Sequence, residues 1–313
     1  MPLVTVILNA LVPIAFVILL GFAAGNLGCL KAESSKVLAI LALEFCLPSL
    51  LLYATATMPT AEFEKGRFFL GITLGLLAVY LLALAVAKTV FRMETAPAAL
   101  QALCTAFPNM AFMGVPLMLA VVGNQAVLSV VVGNLISSFV LLPITLTLLE
   151  AGRSQHPGRS SGAVLRSALL SALRKPLVWL PLLGIIFAFT GIALPDTGLK
   201  SLQLIGNATS GVALFAMGLV LSSERLNLGV RVLTNVAMKN LLQPAIMALL
   251  AVLLGVTGVY RREMILLGAL PTASMTAMFA VSYDVYTEEA TATILLSTVL
   301  SIGTLGAVIA LTR

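Results

Sequence analysis

Apolar residues run along this chain in blocks of about 20, the length of helix that crosses a hydrocarbon core. Short clusters of charged residues, glycine, proline and asparagine divide them. Cutting at those clusters predicts ten spans, near 5–27, 35–56, 68–90, 97–121, 125–149, 176–194, 201–222, 230–256, 263–283 and 288–311. Alternation with period two is missing, which excludes a membrane β-barrel. The first block, MPLVTVILNALVPIAFVILLGFAAGNLG, has a full-length apolar run and no basic leader, so it is expected to be a retained span rather than a signal peptide. The expected fold class is an all-α polytopic membrane protein.

Composition agrees with that pattern. Hydrophobic residues make up 60% of the 313 and charged ones only 10%, against about 25% charged in a soluble domain. The net charge of +6 needs no nucleic-acid partner, because it follows from the placement of Lys and Arg in loops. With both termini outside, the cytoplasmic side holds Lys31, Lys36, Lys88, Arg92, Arg153, Arg159, Arg166, Arg174, Lys175, Arg225 and Arg231. The outer side holds Lys65, Arg67, Lys200, Arg261, Arg262 and Arg313. The excess predicts a cell (inner) membrane protein with outside termini and a cytoplasmic central loop. Cys29, Cys46 and Cys104 lack metal or redox spacing, and the single histidine, His156, lies in that loop. No metal or cofactor is expected.

The one long polar connection, 151–175, leaves five spans before it (1–150) and five after it (176–313). Sliding the chain by 163 residues lays Pro108 on Pro271, Pro13 on Pro176, Gln125 on Glu288 and Glu150 on Arg313. Because five is odd, the two five-helix repeats would be inverted in the membrane, the plan of many secondary transporters.

Within this frame the helix breakers stand out. No acidic or basic residue occurs between Glu94 and Glu150, yet span four reads AFPNMAFMGVPLML, with Pro108, Asn109, Gly114 and Pro116. Span nine carries LPTASMTAM, with Pro271, Thr272 and Ala273. Proline removes one helical hydrogen bond and clashes with the turn before it. In lipid the freed groups must be met by protein, an ion or cavity water. Each break is either a simple kink or one half of a substrate site at mid-membrane, and matched breaks in two halves favour the site. N–H groups opening a half-helix suit an anion.

At these residues the chain resembles the auxin efflux carrier family, which includes plant PIN auxin exporters and bacterial malonate-type permeases. FPNMAFMGVPLML resembles the family's fourth span and FCLPSLLLYATA (45–56) its second. MKNLLQPAIMALL (238–250) and LGALPTASMTAMFAVSYDVYTEEATATILLSTVLSI (267–302) resemble the eighth to tenth. The resemblance implies a scaffold of spans 1, 2, 6 and 7, which would also carry a homodimer. It implies an elevator-type transport domain of spans 3–5 and 8–10, in which broken helices 4 and 9 cross beside the substrate. Phe107 stands where the plant motif has a further Asn, so only half of that motif is present.

Other polar residues lie at membrane depth. Asn134, followed by Ser137 and Ser138, either ligates a carboxylate or bonds a neighbouring helix. Lys239, with Asn240 and Gln243 on its span, either attracts an anion, replaces a coupling cation, snorkels, or forms a structural ion pair with Glu44. Glu44 is either a proton site or a surface or ion-paired group. The motifs of metalloproteases, serine hydrolases and P-loop ATPases are missing. The expected function is a secondary active carrier of small organic anions, mono- or dicarboxylates, coupled to a proton or another ion or to none. Its alternative is an auxin-like aromatic carboxylate exporter or uniporter; a channel and an intramembrane enzyme are the rival classes. The expected substrate ligands are Asn109, Asn134 and backbone N–H groups from Pro108 to Gly114 and from Pro271 to Ala273.

Overall fold

The structure is a computed structural model that describes residues 3–31, 33–152, 162, 166, 170, 173–222 and 228–312. His156, Arg153, Arg159 and Arg225, named above for the loops, and Arg313 lie outside the described residues. The fold is all-helical, and no strand occurs among the described residues. Among the described residues, twelve helices order the chain. They are α1 (Leu3–Asn26), α2 (Ser34–Ala56), α3 (Gly66–Thr89), α4 (Thr95–Ala106), α5 (Val115–Val121) and α6 (Asn124–Leu149). After the central connection come α7 (Pro176–Thr190), α8 (Asp196–Leu221), α9 (Val230–Leu253), α10 (Gly258–Ala269), α11 (Met275–Tyr283) and α12 (Thr287–Leu311). Among the described residues, six of them, α2, α3, α6, α8, α9 and α12, are long and apolar enough to cross a membrane. This is a multi-pass membrane architecture. Spans four and nine appear as the helix pairs α4/α5 and α10/α11, each interrupted at its proline.

Among the described residues, four π-turns widen the helices, at Leu41–Cys46, Met110–Gly114, Ser137–Leu141 and Met238–Leu242. Each is followed two residues on by a proline: Pro48, Pro116, Pro143 and Pro244. The cause is steric. A proline ring meets the carbonyl four residues back and offers it no N–H, so the turn ahead of it opens from the α to the π spacing. An opened turn also rotates one extra residue toward the interior. At Met238–Leu242 this buries both Lys239 and Asn240.

The chain divides into two compact units. Unit 1 comprises Met1–Gly66, Met110–Val132 and Leu173–Glu224; unit 2 comprises Arg67–Asn109, Gly133–Ala172 and Arg225–Arg313. The chain therefore passes from unit 2 to unit 1 between Asn109 and Met110, at the first break.

In unit 1, α1 lies along the second half of α8, and α7 lies along the second half of α2. Small residues permit the approach, as is usual for helices packed in lipid. A Cβ on Gly218 would stand 1.9 Å from the Ile18 carbonyl oxygen, and one on Gly21 2.1 Å from that of Phe215. Gly218→Val is therefore expected to force α1 off α8 and to destabilise the protein by about 1–3 kcal/mol. The check is thermal unfolding in detergent, and an unchanged midpoint would contradict the close crossing. Phe112, from the first break's π-turn, packs against Ala42 and Ala213 in the same unit.

In unit 2, α4, α9, α10 and α12 surround a buried polar interior, described below, while α3 closes one side through Gly71 and Gly75 against Met264 and Met247. The apolar complement is a cluster of Ala98, Leu100, Cys104, Leu149, Ala280, Tyr286 and Ala290.

Candidate functional site

The two breaks meet within unit 2. Pro108 and Thr272 form one isolated antiparallel bridge. The Asn109 N–H donates to the Pro271 carbonyl at 2.8 Å, and the Ala273 N–H donates to the Phe107 carbonyl at 2.9 Å. Each proline ends its helix, and the extended residues beside it find their partners in the other break. Two interruptions that would each leave backbone groups unmet in lipid thus satisfy one another.

Side chains brace the bridge from three helices. Thr272 donates its hydroxyl to the Cys104 carbonyl at 2.9 Å, tying the second break to the last turn of α4. Its backbone N–H donates to Ser297 Oγ at 3.0 Å. Ser297 in turn donates to Asn240 Oδ1 at 2.7 Å, and Asn240 Nδ2 donates to the Ser297 carbonyl at 2.9 Å. The bridge is thereby fastened to the π-turn of α9 through a residue of α12.

One helical turn further along α9, Gln243 Nε2 donates to the Ala106 carbonyl at 2.9 Å. Lys239 Nζ donates to Gln243 Oε1 and to the Gly268 carbonyl at 3.3 Å. Ala106 and Gly268 stand at the C-terminal ends of α4 and α10, where carbonyls lack intrahelical partners and carry the negative end of the dipole. Lys239 and Gln243 are both fully buried. They form a clasp that holds the carbonyl ends of both half-helices from one stretch of α9, Lys239 within the π-turn and Gln243 directly after it. Gly268 lets α9 come this close, since a Cβ there would lie 2.7 Å from Met247 Cγ.

A second network lies on the same three helices. Asn235 accepts from the Thr105 hydroxyl at 3.3 Å and donates to the Tyr286 hydroxyl at 3.0 Å and to Thr293 Oγ1 at 3.2 Å. Tyr286 reaches Gln101 Oε1 at 3.4 Å. Sequence reasoning missed Gln101, Thr105, Asn235, Tyr286, Thr293 and Ser297. The available signal was spacing: Asn235, Lys239 and Gln243 on α9 stand four apart, as do Thr293, Ser297 and Ser301 on α12 and Gln101 and Thr105 on α4. Polar residues at that interval share one helix face.

The remaining expected residues are placed as follows. Asn109 and Asn134 are both buried in unit 2, at 1% and 7% exposure. Gly114 ends the π-turn and belongs to unit 1, whereas Pro108 and Asn109 belong to unit 2. The backbone N–H groups of Asn109, Thr272 and Ala273 are already engaged, by the bridge and by Ser297, and are not open donors for a substrate. Glu44 is exposed on its π-turn in unit 1, and neither it nor Lys239 is ion-paired among the described residues. Among those residues no group of His, Cys, Asp or Glu could hold a metal ion.

The chain is similar in sequence to known membrane transporters. The family model described as "Membrane transport protein" matches residues 6–309. The "Uncharacterized transporter YfdV" of Escherichia coli is 27% identical over 299 residues, 94% of either chain. A Rhizobium meliloti protein named "Putative malonate transporter" is 25% identical over 311 residues, 98% of this chain and 96% of its own. "Auxin efflux carrier component 3" of Arabidopsis thaliana is 31% identical over 121 residues, 36% of this chain and 19% of its own.

Proposed function

The chain belongs to the membrane transport protein family, that of the auxin efflux carriers, and from that premise we propose that it is a secondary active carrier of small organic anions. The observation that carries the reading is the bridged pair of breaks in unit 2. Its carbonyl ends are taken up by Lys239 and Gln243, while α11 begins just beyond the bridge at Met275. The N–H groups that open a helix lack intrahelical acceptors and favour negative charge. A carboxylate would sit there, with the Asn109 and Asn134 amides as donors. Mono- and dicarboxylates are the substrate class, in keeping with the malonate named for the Rhizobium relative.

The transport cycle we infer has ten passes in two inverted halves. Spans 1, 2, 6 and 7 are the scaffold, on which two copies pair as a homodimer. The bridged breaks ride in a transport domain that moves elevator-fashion. The termini face outward and the central loop faces the cytoplasm, in the cell inner membrane. All the compared relatives are named as transporters or carriers, which supports transport rather than covalent turnover.

Purified protein in liposomes tests the reading. Labelled malonate uptake should saturate, should accelerate when unlabelled substrate is inside, and should respond to an imposed gradient. Indole-3-acetate in a parallel arm tests the aromatic-carboxylate alternative, for which the auxin in the plant relative's name is the reason. Linear, non-saturable flux of every anion would overturn the carrier and leave a channel.

A further inference from the structure

We propose that unit 2 carries a groove for one anionic phospholipid, with Arg261 and Arg262 at its mouth. The groove lies between α9, α10 and α12, is open along one side, and has a volume of about 690 Å³. Its mouth is at a membrane face by chain direction alone. α9 ends at Leu253, α10 begins at Gly258 and α12 ends at Leu311, so the two arginines and Thr312 stand together at the ends of three helices. Its inner end is Asn240. On α9 the lining runs from Asn240 to Ala248, about 12 Å of helix, and Arg261 and Thr312 carry it on toward the helix ends. One leaflet of a ~30 Å core is about 15 Å thick. The groove therefore runs the depth of one leaflet, the shape of a single lipid tail.

Its walls match that occupant. Ala245, Ala248 and Ile265 give it an apolar floor, and Leu241 and Leu311 rim it at 61% and 85% exposure. A helix flank with such exposed leucines faces acyl chains, so the occupant enters sideways from the bilayer. At the mouth, guanidinium groups offer planar, paired donors that fit a phosphodiester. A free phosphate would meet the arginines and leave the apolar length of the groove wet. A zwitterionic lipid would fill the length and gain less at the mouth. A tail that reaches Asn240 also packs on the residue that holds Ser297 and, through it, Thr272 at the bridge. Lipid occupancy thus stiffens the bracing of the breaks.

The test compares phosphatidylglycerol, phosphatidylcholine with the same chains, and glycerol phosphate, using native mass spectrometry and thermal unfolding of the purified full chain. One phosphatidylglycerol should be retained per chain, with about five-fold preference over phosphatidylcholine for each arginine engaged. Glycerol phosphate should neither bind nor stabilise. Arg261→Gln, at an exposed position, should lose its share of the preference, and Arg261→Gln with Arg262→Gln the whole of it. Ala248→Trp, which fills the floor, should reduce retention of both lipids. Equal retention of the two lipids overturns the proposal, as does a preference that survives the arginine variants. So does Ala248→Trp protein that keeps its lipid while a dimer dissociates, which would assign the groove to a second copy.

Discussion

Lys239→Met is expected to reduce carboxylate uptake by one to two orders of magnitude while the protein still reaches the membrane. Methionine matches the lysine stem in length and flexibility, so the buried volume stays filled. What is lost is the donor that reaches Gly268 O and Gln243 Oε1. A buried acceptor left without its donor costs about 1–3 kcal/mol, and each 1.4 kcal/mol is about tenfold in the population of the assembled clasp. Gln243 would then be free to turn, and with it goes the hold on the Ala106 carbonyl at the end of α4. Lys239→Arg should not restore function, because a larger planar head has no room at a site with 0% exposure. The expected signature is a lower maximal rate together with a lower unfolding midpoint, since the clasp is part of the fold. Uptake within two-fold of the parent protein would show that the breaks hold their geometry without it.

Lys239 also shows how far the sequence reaches. A charge inside an apolar span marks itself, but hydropathy does not say which face of the helix it occupies. Glu44 carried the same mark and is exposed in unit 1, while Lys239 is fully buried in unit 2. The breaks were legible because proline has a fixed stereochemical consequence. The 163-residue offset paired Pro108 with Pro271, and the bridge pairs Pro108 with Thr272, one residue on. The engagement of the Asn109, Thr272 and Ala273 N–H groups was not legible, because backbone hydrogen bonds leave no trace in residue identity. Nor was the Gln101–Tyr286–Asn235 network. Its members are 51 to 185 residues apart, and single polar side chains in membrane helices serve packing as often as function. The four prolines behind the π-turns were visible throughout, but Pro13 and Pro181 lie inside helices that keep the α spacing, so a proline alone does not announce such a turn.

Asn109→Ala is expected to weaken carboxylate binding by about 10- to 100-fold, the value of one hydrogen bond to a charged group, and to leave the bridge intact. The separation is possible because Asn109 acts through two different parts. Its main-chain N–H donates to the Pro271 carbonyl and survives the substitution. Its side-chain amide, 1% exposed beside the break, does not. The kinetic signature therefore differs from that of Lys239→Met: KM rises, while the maximal rate at saturation and the unfolding midpoint stay close to the parent values. Asn109→Asp sharpens the assignment. It keeps the size and replaces the donor amide by a carboxylate, which repels an anionic substrate at close range. Binding should fall further than in the alanine variant, and it should recover partly at acid pH, where a protonated Asp again offers a donor. Thermal shifts against a panel of mono- and dicarboxylates read the affinities, and uptake in liposomes reads KM. If both variants bind malonate as the parent does, the amide is a structural group, and the substrate donors must be sought along the first turn of α11 and at Asn134.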